Sequence, residues 1–316
     1  MSPKKLVVTI VASCIALVCA LALVATETQP QNGSWTIQPS DEAGKVRFAL
    51  IQHSKNHSNH HESDDWSPSD FQGLDLSIKA KHEVKFTIRR DAGRFECEGY
   101  IDNGEGAGVF HFFPDGKYAD GMSALGFSVD PDKIFGMAVQ DVSLNFAKEM
   151  KNEKLSNLDT DKLIAFRIFN VNSQFIREIR AEGLNTTDSD KLIAFRIHGV
   201  TPEMVRSVRA SGYSPDEDEL IAMRIHGATP EWIAQLKKEG YDHVELQKLI
   251  AFRIHGVSPE FIEKVQSLGY KHPEPDQLIA MRIHGVTPEF IANMKSRTGK
   301  ELTIDQLVSL RIHGID

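Results

Sequence analysis

The tetrapeptide Arg-Ile-His-Gly occurs five times in this chain of 316 residues, in steps of 28, 29, 29 and 29 residues. The histidines of the five copies are His198, His226, His255, His284 and His313. A fixed period of roughly 20 to 50 residues is the signature of stacked supersecondary units, since each unit is too small to bury its own apolar face. The period therefore predicts a tandem array over the C-terminal part of the chain rather than one globular core.

Each period carries the end signals of two short helices. The first, here called the B helix, begins with Thr or Ser followed by Pro and Glu, as in 201–203, and ends at a Gly followed by Tyr. These are favoured N-cap, first-turn and left-handed C-cap residues. The second, the A helix, has an acid in its first turn and ends at the Gly after His, as in 276–285. Aligning the chain on this pattern from residue 114 to 316 gives seven B–A units, which predicts α-helical hairpins.

The A helices have almost no polar sector. In one copy, apolar residues surround the helix axis: Leu249, Ile250, Ala251, Phe252 and Ile254. A helix that is apolar on every side must be covered on every side. We therefore expect the A helices to form the inner spine of an α-solenoid of about seven units of about 29 residues, with amphipathic B helices packed against them.

A different periodicity precedes the array. Between residues 45 and 113 apolar and polar residues alternate, and the segment 82–89 places Val84, Phe86 and Ile88 on one face. Such alternation is typical of half-buried strands. We predict four or five short antiparallel strands in 45–113, joined to the N-terminal segment by a polar linker at 26–44. The expected fold class is α+β, with a small antiparallel β module followed by a helical-repeat domain at 114–316.

The first 25 residues differ from the rest of the chain. Lys4 and Lys5 precede an apolar stretch from Leu6 to Val24, which is typical of either a cleaved secretory signal or a single N-terminal transmembrane anchor. In both cases the remainder of the chain is exported, and we expect it in the periplasm or cell envelope. Cys97 is the only cysteine outside this stretch, so an internal disulfide of the exported part is excluded.

Composition and motifs narrow the class of function. A formal net charge of -8, without a basic cluster, argues against a nucleic-acid partner. The sequence has no nucleophile elbow, phosphate loop or dinucleotide fingerprint, so we expect no enzyme, no cofactor and no small-molecule substrate. A protein partner in the envelope is the expectation. Its predicted contact surface is formed by variable B-helix residues: Arg206, Lys237, Lys238, Glu263 and Lys264.

An arginine ladder recurs in the A helices. Its members are Arg167, Arg196, Arg224, Arg253, Arg282 and Arg311. An arginine in so apolar a helix needs a partner. One interpretation is structural, with an ion pair to the acids at the A-helix starts or to the Pro-Glu glutamates, or a bond to a neighbouring carbonyl. The other is a cationic stripe that binds a ligand.

The histidine ladder, two residues after the arginines, also has two interpretations. A histidine at a helix C-terminus can bond the last carbonyls and interact with the helix dipole. The alternative is a metal-binding or pH-sensing role. Equivalent residues of stacked units are about 10 Å apart, so this ladder alone cannot close a tetrahedral zinc site.

A separate histidine-rich segment lies between two predicted strands. His53, His57, His60 and His61 are followed by Glu62, Asp64 and Asp65. These side chains could bind a metal such as zinc. Since Ser and Asn separate them, the alternative is a polar loop.

The repeat at 276–291 resembles a bacterial repeat tract. Similar tracts, of Acidobacteria type, follow the membrane part of proteins labelled drug-resistance antirepressors or beta-lactam-sensor-like membrane metallopeptidases. The resemblance covers about 95–316 and includes the Gly-Glu-Gly-Ala-Gly-Val-Phe turn. The family's peptidase part would need several transmembrane helices and a His-Glu-x-x-His motif, and this sequence has neither. The resemblance therefore implies only the extracytoplasmic repeat part.

These observations predict a non-enzymatic binding or scaffold protein of the bacterial envelope, such as a sensor-type module. Two alternatives stay open. One is a metal-responsive envelope protein that uses the segment 53–65. The other is an antirepressor-like regulatory component partnered with a separate membrane peptidase.

Overall fold

A computed structural model describes residues 31–53 and 58–315, without the side chains of 53–65 and 131–132. The predicted signal or anchor at 1–25 lies outside the described residues. The chain forms two compact units that divide between Ala147 and Lys148. Among the helices of the described ranges, none combines the length and the hydrophobicity that a bilayer span requires. The fold class is α+β.

The first unit contains one antiparallel sheet. Its strands within the described residues are β1 (Gln31–Pro39), β2 (Val46–His53), β3 (Ser58–Trp66), β4 (His82–Arg90), β5 (Gly93–Asp102) and β6 (Glu105–Pro114). Their order is β3-β2-β1-β6-β5-β4. The pairing of β1 with β6 joins the first three strands to the last three, so these two strands form the centre of the sheet.

Strand β1 corrects the predicted linker at 26–44. Trp35 and Ile37 are fully buried, and β1 pairs with β2 on one side and β6 on the other. The segment looks polar because its inward positions alternate with Ser, Thr and Gln, and because one inward residue is Gly33. A Cβ at Gly33 would meet the Ile51 carbonyl oxygen at 2.1 Å, so no larger residue fits there.

The sheet curls around an aromatic core. Val84, Phe86 and Ile88 are buried, as their alternation predicts. The rings of Phe48 on β2 and Phe86 on β4 lie 6.2 Å apart, although these strands are not neighbours in the sheet. Phe71 fills the space beside them, at 4.9 Å from Phe48 and 5.7 Å from Phe86. Aromatic packing thus fixes the curvature of the sheet.

The first helices belong to the sheet unit rather than to a separate repeat domain beginning at 114. They are α1 (Gly116–Ala124) and α2 (Pro131–Val139). The Phe135 ring of α2 lies 5.7 Å from Phe95 and 5.4 Å from Phe112 of the sheet. The compact units therefore do not divide where the sequence periodicity changes, because these helices bury their apolar faces on the sheet.

Short helices continue to the end of the chain. They are α3 (Leu144–Asn152), α4 (Thr160–Ile168), α5 (Ser173–Ala181), α6 (Ser189–His198), α7 (Pro202–Ala210), α8 (Glu217–His226), α9 (Pro230–Lys238), α10 (Leu246–His255), α11 (Pro259–Ser267), α12 (Pro275–Ile283), α13 (Pro288–Thr298) and α14 (Ile304–Ile312). From α4 onward, even numbers are A helices and odd numbers are B helices. Each A helix of this series packs against the next A helix.

The helix ends follow the sequence signals. The hydroxyl groups of Thr201 and Thr229 accept bonds from the backbone N–H groups of Met204 and Trp232, with proline at the first helical position. The A helix α10 closes on Gly256 in the left-handed conformation, with φ of 73°. Asn170, with φ of 53°, takes the same role after α4. These caps explain why such short helices end where they do.

Two of the tyrosines that follow B helices bond to the next hairpin. The hydroxyl of Tyr241 donates to the carbonyl of Pro273 at 2.7 Å, and that of Tyr270 donates to the carbonyl of Leu302 at 2.6 Å. Burial raises the pKa of Tyr241 to about 12, so this donor keeps its proton over the physiological pH range.

We expect Gly108→Ala to destabilise the sheet unit, because its Cβ would meet the Glu98 carbonyl oxygen at 2.0 Å and the Trp35 indole at 2.7 Å. The expected loss in the free energy of unfolding is about 1–3 kcal/mol, as for overpacked cores. Urea unfolding followed by tryptophan fluorescence and circular dichroism measures it. Gly116→Ala is the matched control, since nothing lies within 4 Å of its added Cβ. Equal stabilities of the two variants would contradict the packing argument.

Candidate functional site

The arginine ladder bonds to main-chain carbonyls. Nε of Arg224 donates to the His198 carbonyl at 3.0 Å, and Nε of Arg253 donates to the His226 carbonyl at 3.2 Å. Arg282 and Arg196 make the same kind of bond, to the carbonyls of His255 and Phe169, respectively. The last carbonyls of a helix lack partners within that helix. Each arginine therefore caps the C-terminus of the preceding A helix with a charged donor.

The same guanidinium groups cover aromatic rings of the preceding B helices. The distances from guanidinium carbon to ring centroid are 4.5 Å for Arg196 over Phe175, 5.1 Å for Arg253 over Trp232, 5.0 Å for Arg282 over Phe261 and 5.0 Å for Arg311 over Phe290. In α7, the B helix before Arg224, the sequence position equivalent to these rings holds Met204. Arg196, Arg253 and Arg282 thus each link their own A helix to the preceding A helix through a hydrogen bond, and to the B helix between the two through a cation–π contact.

The C-cap glycines provide space for these arginines. A Cβ on Gly227 would meet the guanidinium of Arg253 at 2.8 Å, and one on Gly256 would meet that of Arg282 at 3.0 Å. The left-handed backbone already favours glycine there. The Arg and Gly of the repeated tetrapeptide are therefore required together, although each pair comes from two successive copies.

The acids at the A-helix starts bind lysines instead of the arginine ladder. The ion pairs are Lys162 with Asp190, Lys191 with Asp218, and Lys248 with Asp276. Each joins one A helix to the next. The hydrogen bond to Asp190 raises the pKa of Lys162, and that to Asp218 raises the pKa of Lys191. Of the partners proposed for the arginines from sequence, the neighbouring carbonyl is therefore the one observed.

Two pairs of positions in this lysine–aspartate series carry no opposite charges, namely Glu219 with Gln247 and Gln277 with Asp305. In α8 the lysine position holds Glu219, and in α10 the aspartate position holds Gln247. Glu219 accepts a bond from the backbone N–H of Asp216 in a capping box. An aspartate at 247 would place a like charge opposite it, and glutamine avoids that repulsion.

The Pro-Glu glutamates are also occupied at their own helix starts. A bond from its own backbone N–H, and then one from the Thr229 hydroxyl, lowers the pKa of Glu231. The same two bonds lower the pKa of Glu203, where the hydroxyl is that of Thr201. The pKa of these carboxyls is thus explained by N-terminal capping.

The histidine side chains do not have the capping role expected from sequence. Only the ring of His313 reaches a carbonyl, with Nδ1 at 2.7 Å from the Ser309 oxygen. Within the described part of the chain, the rings of His198, His226, His255 and His284 make no hydrogen bond, and all except that of His198 are exposed. The physical reason is that an arginine already occupies the helix-end carbonyls. At His198, for example, the main-chain carbonyl accepts the bond from Arg224, while the imidazole ring makes no hydrogen bond within the described part of the chain.

The isoleucine between Arg and His forms an exposed row. Its members, here called the isoleucine row, are Ile168, Ile197, Ile225, Ile254, Ile283 and Ile312, each between 51% and 58% exposed. This corrects the expectation that the A helices are covered on every side. Other apolar residues of the same helices, such as Leu249 and Phe252, are fully buried, whereas the isoleucine of the row is half exposed to solvent.

At four positions of this row, the neighbouring arginine is not neutralised by a carboxylate of the described residues. Among the described residues, Arg196, Arg224, Arg253 and Arg282 bond only to carbonyls and rings. At the opposite end of the A helices, in contrast, Lys and Asp compensate each other. The C-terminal ends of the A helices therefore carry apolar surface next to positive charge.

The contact surface predicted on the B helices is partly used within the array. Arg206 bonds to Glu182 at 2.5 Å, and Lys237 donates to the Ser211 carbonyl at 2.8 Å. Both contacts hold neighbouring B helices together. Lys238, Glu263 and Lys264 are exposed.

The histidine-rich segment lies largely outside what the structure describes. His57 is not among the described residues, and His53, His60 and His61 stand in β2 and β3 with undescribed side chains. Residues 58–66 pair with β2, so the loop interpretation is wrong for them. No group of three His, Cys, Asp or Glu among the described side chains could hold a metal ion. Metal binding at 53–65 stays a prediction, and comparing the melting temperature with zinc and with EDTA tests it.

The sequence matches no protein-family model and no curated protein. The function therefore has to be inferred from the structure itself, and chiefly from the isoleucine row and the arginine ladder.

We expect Arg253→Ala to lower the free energy of unfolding by about 1–2 kcal/mol, since it removes a charged hydrogen bond and a cation–π contact. Arg253→Lys should retain only part of this free energy, because an ammonium group is not planar. A guanidinium can stack on a ring and donate a hydrogen bond at the same time. Chemical denaturation followed by circular dichroism measures both. Lys238→Ala, on the exposed face of a B helix, is the control and should change stability by less than about 0.5 kcal/mol. A loss no larger than the control's would refute the linking role of Arg253.

We expect Glu219→Lys and Gln247→Asp together to create an ion pair at one of the two positions where the series lacks it. A double-mutant cycle should give a favourable coupling energy of about 0.2–1 kcal/mol. The cost of breaking the Glu219 capping box appears in both arms of the cycle and cancels. The coupling energy also includes the loss of the repulsion between Glu219 and the new aspartate that the single Gln247→Asp variant contains. Coupling near zero would show that the lysine–aspartate series does not join successive A helices at this position.

Proposed function

We propose that this chain is a non-enzymatic binding or scaffold protein of the bacterial envelope, built as an α-solenoid of about seven units of about 29 residues. The packing of successive A helices, of α5 on α7 and of α11 on α13 supports the arrangement. The arginine and lysine–aspartate contacts recur from one hairpin to the next, which supports a regular stack.

The observation that carries the proposal is the isoleucine row. Half-exposed isoleucines recur at the same position of six A helices, while Leu249 and Phe252 in one of these helices are fully buried. Contiguous apolar surface in a soluble protein commonly marks an interaction site. Since a regular stack would bring these side chains into line, the row is the surface that we assign to a protein partner, in place of the B-helix residues.

The envelope location rests on the N-terminal sequence, where a basic start and a 19-residue apolar stretch favour export. The role as a sensor-type module, or as an antirepressor-like component beside a separate membrane peptidase, rests on the resemblance of the repeat tract. Fractionation of cells that express the tagged full chain, with N-terminal sequencing of the product, tests the location. A full-length cytoplasmic product would refute it.

Site-specific photo-crosslinking tests the binding surface. A photoreactive phenylalanine analogue replaces Ile254 in one variant and the exposed Lys238 in a matched control, and both full-length chains are expressed in the native host. We expect a discrete adduct from position 254 that is absent from position 238, and mass spectrometry identifies its partner. Irradiation that yields no adduct at 254, or the same adducts at both positions, would refute the proposed function.

A further inference from the structure

We infer that the partner segment seated on the isoleucine row is an acidic amphipathic α-helix that lies along the array. This rests on the proposed function, because it identifies the class of partner that the same surface binds. Two properties of the described residues lead to it, namely the chemistry of the row and its spacing.

The chemistry of the row requires a ligand that is both apolar and anionic. Ile225, Ile254 and Ile283 are 54%, 51% and 54% exposed, and each directly follows an arginine that has no carboxylate partner among the described residues. An apolar ligand without acidic groups would remove water from these guanidinium groups and offer no opposite charge. Burying an unpaired charge in this way is unfavourable. Carboxylates beside the apolar side chains would pair with them, because the outer edge of a guanidinium can bind a carboxylate while its face stacks on a ring.

The spacing favours a helix over an extended strand. Packed helices lie about 8–10 Å apart, and consecutive A helices are in direct contact through the arginine bonds. Seven residues of an α-helix rise about 10.5 Å, so a helix with one apolar residue per heptad meets one isoleucine per A helix. Three residues of a strand also span about 10 Å, but residues i and i+3 of a strand point to opposite faces. A strand could therefore contact only every second isoleucine.

The position of the charges specifies the acids. Arg and Ile are neighbours on one turn of each A helix, so the partner needs a carboxylate within one turn of each apolar residue. Residues three or four apart share a face of a helix. The expected partner therefore carries Leu or Ile at every seventh residue and Asp or Glu three or four residues after it.

An anionic membrane surface is the competing occupant. It would require a broad basic face, and here the lysines at the other end of the A helices are paired with aspartates. The whole chain also has a formal net charge of -8, which opposes adsorption to anionic lipid. The helix is therefore the occupant that the charges favour.

The test uses the full-length chain, purified in mild detergent, and fluorescent synthetic helical peptides of about four heptads. The first peptide has Leu at every seventh residue and Glu three and four residues later. The second has the same composition with Leu at every fifth residue, and the third has Lys in place of Glu. Fluorescence anisotropy should show that the first binds at least roughly tenfold more tightly than either control. Raising the salt concentration should weaken its binding.

Matched protein variants locate the contact. Ile225→Ser, Ile254→Ser and Ile283→Ser combined should abolish binding of the first peptide, whereas Lys238→Ser with Lys264→Ser should leave it unchanged. Since all these side chains are exposed, circular dichroism should show the same helix content in both variants. Equal binding of the three peptides, or binding that survives loss of the row, would overturn the inference.

Two further outcomes separate the inference from the proposed function. If phosphatidylglycerol vesicles bind the chain through the row and the first peptide does not, the occupant is lipid and the inference fails. If position 254 crosslinks to a protein whose adduct maps outside any acidic amphipathic helix, the inference fails while the proposed function stands. Absence of any adduct would refute the proposed function itself.

Discussion

The contact on which the helical part depends is made by one arginine in each of four A helices, α6, α8, α10 and α12. Its guanidinium bonds to the carbonyl that ends the preceding A helix and, in Arg253 and Arg282, covers an aromatic ring of the preceding B helix. Helices of nine or ten residues are too short to be stable alone in water. Their stability must come from packing between hairpins, and the arginine makes one such contact at the helix end where carbonyls would otherwise lack partners.

Two further series reinforce that contact at other places in the hairpins. Lysine–aspartate pairs join the starts of successive A helices, and Tyr241 and Tyr270, which follow two of the B helices, donate to the next hairpin. Charge on the A helices is therefore distributed unevenly. Opposite charges meet at the starts. At the ends, the arginines of α6, α8, α10 and α12 meet neutral carbonyls, so positive charge stays beside this part of the isoleucine row.

The sequence predicted which residues of the candidate site recur, but not the groups that these residues contact. The spacing of Arg253 and its equivalents identified a ladder and the need for a partner, but acids and carbonyls remained equal candidates. The choice depended on which groups of the preceding hairpin lie within reach. The exposure of Ile254 was missed because hydrophobicity alone indicates burial. Its position immediately after the arginine, in a tetrapeptide repeated five times, was the available signal.

The sequence by itself determined the positions of the hairpin helices, because N-cap hydroxyls, first-turn prolines and left-handed glycines act within a few residues of the backbone that they terminate. It also determined the two-fold alternation of β4, which is a local property of a half-buried strand. Only the tertiary structure decided that 31–39 is the central strand, that α1 and α2 pack with the sheet unit, and which carbonyl each arginine binds. These outcomes depend on residues roughly 25 to 80 positions apart that meet after folding. Spacing along the chain can indicate that such partners are needed, but only packing in three dimensions determines which ones are reached.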